Sequence, residues 1–290
     1  MFMFMFVSGW LVKSLGRELN LKWLLKRFRN LMIPYLAWTL INIFRRGNTG
    51  NFLSEYVYRV LSNSYWFLIV LFFCDCTIFI INNIKINKYF SAILFIILSN
   101  AIYVIFPQLR EHAGVAYLRL YAVHMPFYMA GFFMADKKHL VNRLFDSKIV
   151  YVLYPLAILF YSFKGEYYSV FDLKMILANL GLSSRLIYII VTTYNHYIVA
   201  TLGCWFIATL VKFIYKHGYF DIVQKFLIYI GQYTLLIYIL DGTFRVRCFD
   251  SLPLNFLISF MLSITLPVFV YKILDKFSPT RFLLLGKSYR

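Results

Sequence analysis

Four ionisable residues stand inside or beside long apolar stretches of the sequence. Asp75 lies within FLIVLFFCDCTIFI and His124 within YAVHMPFYM, Asp241 follows LLIYIL, and His196 belongs to the polar patch TTYNH. Ionisable side chains in a hydrophobic environment usually face a cavity or a partner, and they mark functional positions. Carboxylates and imidazoles are general acids and bases, so we treat all four as candidate catalytic residues.

Each candidate also has a structural interpretation. An ion pair would explain Asp75, and a neutral imidazole bonded to a backbone carbonyl would explain His124. The patch around His196 either lines a substrate pathway or marks a kinked helix end. Tyr238 precedes Asp241 by three residues, on the same face of a helix, and joins the candidates for that reason.

A basic stretch from Arg17 to Arg29 directly precedes the apolar run LMIPYLAWTLINIF. If this stretch faces the cytoplasm, the segments predicted on the same side hold about two thirds of the Lys and Arg residues, as the positive-inside rule expects. The net charge of +18 then reflects topology and contact with anionic membrane lipids. No nucleic-acid partner is expected, because the basic residues are dispersed among hydrophobic segments.

The composition places the chain in a membrane. Hydrophobic residues make up 61% of the sequence, charged residues 14%, and the mean hydropathy is +0.70. A spanning helix needs roughly 20 mainly apolar residues, and no lone strand can satisfy its backbone in lipid. We therefore predict an all-α, polytopic transmembrane helix bundle of about nine segments. They lie near 1–12, 30–44, 66–84, 89–107, 119–135, 148–163, 190–211, 226–244 and 252–271.

The first of these segments is too short to span as written. Twelve residues cover about 18 Å of a core roughly 30 Å thick, and no basic n-region or cleavage site suggests a signal peptide. We expect residues 1–290 to form a single integral-membrane domain that is N-terminally truncated. A metal site is not expected, since the Cys74-Asp75-Cys76 motif has no second ligand pair.

Five short motifs, in order and at consistent spacing, resemble the bacterial membrane-bound acyltransferase-3 family. They are Phe4-x-Phe6-x-Ser8-Gly9-Trp10, the basic loop with Ile33-Pro34-Tyr35-x-x-Trp38, Trp66-Phe67-Leu68, Pro126-Phe127-x-x-x-Gly131, and Gly231-x-x-Thr234-x-x-x-Tyr238. No motif is specific by itself. The resemblance covers residues 1 to about 271.

The resemblance implies an O-acyltransferase of the bacterial inner membrane, with ten membrane helices in a complete member. Such enzymes usually move acetyl from acetyl-CoA, a substrate and not a permanently bound cofactor, to a hydroxyl of a sugar, polysaccharide or lipid-linked precursor. The resemblance places the catalytic His upstream of Met1, and Asp241 stands where the family has a later His. Four cations at the start of the following helix suit the phosphates of CoA, or simply obey the positive-inside rule: Lys22, Lys26, Arg27 and Arg29.

Two alternatives remain at this stage. One is a membrane protein of polysaccharide export, of the flippase or polymerase type. Against it, the longest outer loop has only about twenty residues and no duplicated halves are visible. The other is an inactive remnant of an acyltransferase.

Overall fold

The computed structural model describes residues 1–16, 18–46, 51–62, 65–84, 87–105, 113–160, 172–217, 221–240 and 252–287, and every regular element among them is helical. The helices are α1 (Phe2–Ser14), α2 (Leu21–Arg46), α3 (Phe52–Ser62), α4 (Trp66–Asn83), α5 (Lys88–Ile105), α6 (Ala113–Met134), α7 (Lys138–Asp146), α8 (Val150–Ile158), α9 (Leu173–Asn179), α10 (Ser184–Thr193), α11 (Ala200–His217), α12 (Asp221–Gly231), α13 (Thr234–Leu240), α14 (Leu252–Leu274) and α15 (Ser278–Leu285). This confirms the predicted all-α class.

The helical, apolar character is that of a membrane bundle. Within the described residues, three helical windows are both long and apolar enough to cross a bilayer, and they are Trp66–Asn83, Tyr197–Lys216 and Leu257–Leu274. Two shorter apolar helices, Phe2–Ser14 and Tyr89–Leu98, accompany them. The count of nine segments stays a prediction.

The chain divides into two compact units. Unit 1 comprises residues 1–16 and 126–220, and unit 2 comprises residues 17–125 and 221–290. The division falls within α6 at Pro126, a residue that cannot donate the hydrogen bond of a regular helical turn.

Unit 1 contains a close contact between α1 and the second half of α6. A Cβ added to Gly9 would meet the backbone carbonyl of Tyr128, and one added to Gly131 would meet the carbonyl of Phe6. Small residues that let two backbones approach are a typical basis of helix association in lipid. Just beyond this contact Lys13 pairs with Asp136 at 3.3 Å, in a short 3₁₀ turn between α6 and α7.

A π-helical turn over Tyr194–Val199 joins α10 to α11 in unit 1. Tyr194 donates a 2.7 Å hydrogen bond from its hydroxyl to the carbonyl of Ala157, in α8. The polar patch of the sequence therefore lies within a continuous helical stretch, at a local widening of the helix.

In unit 2, α2 packs against α3, α4 and α15. Asn20 caps its first turn by accepting a 2.9 Å hydrogen bond from the Trp23 amide. Pro34 has no backbone N–H, so the carbonyl of Asn30 lacks the helical hydrogen bond that it would otherwise accept. Gly286, at φ +66°, packs against this carbonyl after α15.

Some predicted segments have different bounds in the structure. The predicted span 226–244 is interrupted, because α12 ends at Gly231 and α13 begins at Thr234. The connection between the predicted spans 148–163 and 190–211 contains the helix α9, which Asp172 caps by accepting hydrogen bonds from two backbone amides. Apolar runs mark the lipid-embedded part of a helix, so they miss polar ends and internal turns.

Candidate active site

Arg27 and Asp75 form an ion pair inside unit 2. The Nε of Arg27 donates a 2.7 Å hydrogen bond to Oδ2 of Asp75, whose side chain is fully buried, while that of Arg27 is 23% exposed. Arg27 lies on the inward face of α2, together with the buried Trp23 and Leu31. Desolvated charges are tolerated when they are paired and hydrogen-bonded, so this pair fixes the first turns of α2 against α4.

The other three predicted donor-binding cations lie on a different face of α2. Lys22, Lys26 and Arg29 are spaced i, i+4 and i+7, which places them on one side of the helix. Lys22 and Lys26 are exposed and Arg29 is half-buried. We call this set the α2 cationic face. The four residues that the sequence grouped together therefore have two different environments.

His124 and Trp66 are in contact within unit 2. Their ring centroids are 5.0 Å apart, and His124 is 5% exposed. The Nδ1 of His124 lies 2.7 Å from the carbonyl oxygen of Leu120. Because a carbonyl can only accept, Nδ1 carries the proton, and in the neutral ring Nε2 holds the basic lone pair.

Tyr238 contacts Phe67, the residue that follows Trp66 in the Trp-Phe-Leu motif. Its hydroxyl oxygen accepts a 3.3 Å hydrogen bond from the backbone N–H of Phe67, and the two rings pack edge to face at 5.5 Å. The Phe67 amide is one of the donors that the start of α4 leaves without an intrahelical acceptor. The Trp66–Phe67 step thus contacts His124 on α6 and Tyr238 on α13, and we call these four residues the Trp66 cluster.

Further hydroxyl groups of unit 2 are buried among the helices. The hydroxyls of Tyr35 and Tyr117 lie 2.9 Å apart, and both donate to the carbonyl of Val60, at 2.5 and 3.0 Å. Tyr121 and Thr77 share a 2.6 Å hydrogen bond. Because each of these hydroxyls already donates its proton within the protein, the groups connect α2, α3, α4 and α6 and leave no donor for a substrate.

The two remaining predicted site residues, Asp241 and His196, are not among the described side chains. Asp241 lies outside the described residues, although Tyr238 before it is described. The backbone of His196 lies in the π-helical turn of unit 1, and its side chain is outside the described ones. The described residues contain no cluster of three potential metal-ligating His, Cys, Asp or Glu side chains.

Arg281 is a residue that the sequence analysis did not single out. It lies in α15 with its side chain 15% exposed, and its Nε is 3.4 Å from Oδ1 of Asp275. Among the described residues neither Nε nor Nη1 has a hydrogen-bond partner of suitable geometry. A guanidinium with unused N–H donors is suited to binding an anionic group. In the sequence, the one feature that could have indicated Arg281 was its position shortly after the last predicted span.

The sequence profile described as an acyltransferase domain, acyltransferase-3, matches residues 1–272. The chain is a member of the acyltransferase-3 family. Neither the curated proteins nor the solved structures contain a match to it. As a family member, it is an acyltransferase that acts on a hydroxyl-bearing acceptor, and its apolar helices make it a membrane protein.

The structure gives a physical reason for three motifs of this acyltransferase. Gly9 comes from the Ser-Gly-Trp motif and Gly131 from the Pro-Phe-x-x-x-Gly motif, and both occupy the close contact between α1 and α6. The Trp-Phe-Leu motif begins α4 and supplies Trp66 and Phe67, two of the four residues of the Trp66 cluster. The two glycine motifs therefore position helices within unit 1, and the Trp-Phe-Leu motif positions aromatic rings at the candidate site in unit 2.

Proposed function

We propose that this acyltransferase transfers acetyl from acetyl-CoA to a hydroxyl of a cell-surface sugar, polysaccharide or lipid-linked precursor. We further propose that it does so as a multi-pass protein of the bacterial inner membrane. Acetyl-CoA is a consumed substrate in this scheme, and no resident cofactor takes part. Membrane lipids surround the helices, and the sugar is the acceptor.

The α2 cationic face is the observation that supports acetyl-CoA as the acyl donor. Three cations project from one side of α2, while Arg27 on the other side is held by Asp75. The phosphates of a CoA thioester are recognised by such groups of Lys and Arg side chains. The ion pair keeps the helix in place without consuming the cations that face outward. Arg281, on the helix that packs against α2, supplies further donors in the same unit.

The Trp66 cluster is the proposed place of the reaction. Asp75 and Trp66 are nine residues apart on α4, which corresponds to about 14 Å along the helix. The flexible arm of CoA separates its thioester from its phosphates, so the two ends of the donor need two such separate sites. Aromatic side chains with a few precisely placed polar groups are the usual lining of a small-molecule site, and the Trp66 cluster has this composition.

The proposed reaction is a single acyl transfer. The acceptor oxygen adds to the thioester carbonyl, its proton goes to a base, and the C–S bond then breaks to release the thiolate of CoA. The base returns the proton to that sulfur, which leaves an acetyl ester and free CoA. Within the Trp66 cluster, Nε2 of His124 is the group with the chemistry of this base.

A comparison of two double variants tests the donor assignment. In Lys22→Gln/Lys26→Gln, the KM for acetyl-CoA should rise at least about tenfold, because two charge-assisted contacts are lost. The kcat at saturating donor should remain close to that of the unchanged protein. The matched control is Lys138→Gln/Arg143→Gln, which removes two exposed cations from α7, on the same predicted side.

The readout is acetyl transfer by purified protein in nanodiscs, with a lipid-linked sugar as acceptor. An unchanged KM in the α2 variant, or an equal rise in the α7 control, would contradict the donor assignment. Formation of the same acetylated sugar from an acetyl thioester other than acetyl-CoA, with no transfer from acetyl-CoA itself, would contradict the identity of the donor.

A further inference from the structure

Unit 1 contains an apolar cavity of about 430 Å³, within the range of roughly 300–1,000 Å³ typical of ligand sites. Its walls come from α1, α6, α7, the π-helical turn and α11, and they include Phe6, Phe127, Leu144, Tyr197 and Cys204. Such a lining would accept hydrocarbon. Nothing in the proposed acetyl transfer uses this space.

A second cavity of about 590 Å³ lies next to the first and shares the wall formed by Phe145. Its lining is mostly apolar in area but carries three basic side chains, Lys148, Lys212 and Lys216. Lys212 already pairs with Asp146 at 2.8 Å and donates to the Asn142 carbonyl at 3.1 Å. After Asp146 is counted, this second cavity retains an excess of positive charge.

Thr209 provides an independent observation that points to a ligand at the second cavity. It lines that cavity and is 4% exposed, yet its Oγ1 has no hydrogen-bond partner among the described residues. In helices, Thr hydroxyls usually bond the carbonyl four residues earlier, and a buried hydroxyl without a partner is destabilising. A ligand oxygen would satisfy this hydroxyl.

The order of the two cavities along α11 matches the shape of an amphiphile. Thr201, Cys204 and Trp205 line the apolar cavity, and Thr209, Lys212 and Lys216 line the basic one further along the helix. Thr201 and Lys216 are about 22 Å apart along α11. Trp205 lies where the lining changes, and its Nε1 donates to the Leu144 carbonyl at 2.8 Å.

We propose that these two cavities form a binding site for an anionic phospholipid of the cytoplasmic leaflet. The phosphate lies between Lys148, Lys216 and the hydroxyl of Thr209, and an acyl chain occupies the apolar cavity. Basic pockets between membrane helices on the cytoplasmic side commonly bind acidic headgroups. Residues 136–148 and 212–225 are on the side that the charge bias predicts to be cytoplasmic.

The test measures lipid selectivity without any turnover, so it is independent of the proposed reaction. The protein is placed in phosphatidylcholine nanodiscs with a minor fraction of spin-labelled phosphatidylglycerol or spin-labelled phosphatidylcholine. Phosphatidylglycerol should associate several-fold more strongly. In Lys148→Gln/Lys216→Gln this preference should disappear, because each lysine removed weakens the attraction of an anionic headgroup by up to about fivefold. Lys138→Gln/Arg143→Gln is the control and should retain the preference.

Thr209→Val separates a ligand contact from a structural role. It should reduce the phosphatidylglycerol preference while leaving the Tm in lipid-free detergent unchanged or higher, because it removes an unsatisfied buried hydroxyl. Equal association of the two lipids with the unchanged protein would overturn the proposal. Displacement of the labelled lipid by palmitoyl-CoA, but not by CoA, would also overturn it and would make the cavities a site for a long-chain acyl donor.

Discussion

Arg27 of α2 and Asp75 of α4 are held together by a 2.7 Å hydrogen bond between Nε and Oδ2, and the carboxylate is fully shielded from solvent. Replacing one member of such a pair leaves the other charge buried without its counter-charge. In unit 2, α2 and α4 are therefore joined by a buried ion pair as well as by apolar contacts.

The first prediction concerns the coupling of these two residues. Asp75→Asn should lower the free energy of unfolding by about 3 kcal/mol, near the low end for a buried pair because Arg27 remains partly exposed. Arg27→Gln/Asp75→Asn should lose much less than the sum of the single losses. Thermal unfolding in detergent measures the cycle, and additive losses would show that the pair is not coupled.

The second prediction concerns the contact between α1 and α6. Gly131→Ala should destabilise unit 1 by more than about 2 kcal/mol, since its Cβ would meet the backbone carbonyl of Phe6, which cannot move aside easily. Gly231→Ala is the matched control. Nothing lies within 4 Å of its added Cβ, and Ala is the better helix former. A similar Tm for the two variants would contradict this packing.

The third prediction concerns the base. His124→Gln should lower kcat for acetyl transfer by about 10²-fold or more and leave the KM for acetyl-CoA unchanged. His139→Gln, at an exposed position in α7, should have no effect on either constant. If His124→Gln retains full kcat while folding normally, the base lies elsewhere, and Asp241 and His196 are the next candidates.

The fourth prediction concerns topology. Reporter fusions after residues 20 and 140 should be cytoplasmic, and fusions after residues 55 and 172 should lie outside. The Lys13–Asp136 and Lys212–Asp146 pairs agree with this assignment, because each joins two residues predicted on the same side. A cytoplasmic signal at residue 172 would contradict the predicted order of spans.

The apolar pattern predicted the centres of helices well and their ends less well. The span predicted from residue 66 begins where α4 begins, at Trp66. The span predicted from residue 30 belongs to a helix that begins at Leu21, because Asn20 caps it and Lys and Arg are good helix formers. Hydropathy measures contact with lipid, whereas caps and propensity decide where a helix starts.

The sequence analysis predicted which residues belong to the candidate site, but it did not predict which residues they contact. Ionisable residues in apolar runs were identified from the sequence, but the pairing of Asp75 with Arg27 depends on which helices become neighbours. The same limit applies to His124 and Tyr238, which are related through the Trp66–Phe67 step. Arg281 was missed because its burial is produced by the packing of α15 and not by its sequence neighbours.

The contact between Gly9 and Tyr128 has a consequence for biosynthesis. The two residues are separated in the chain by the whole of α2 to α5, so α1 enters the membrane long before its packing partner has been translated. Until α6 arrives, the flat glycine surface of α1 faces lipid or the insertion machinery. Non-local contacts of this kind form late. Assembly of unit 1 therefore depends on α1 being retained in the bilayer while the intervening helices are inserted.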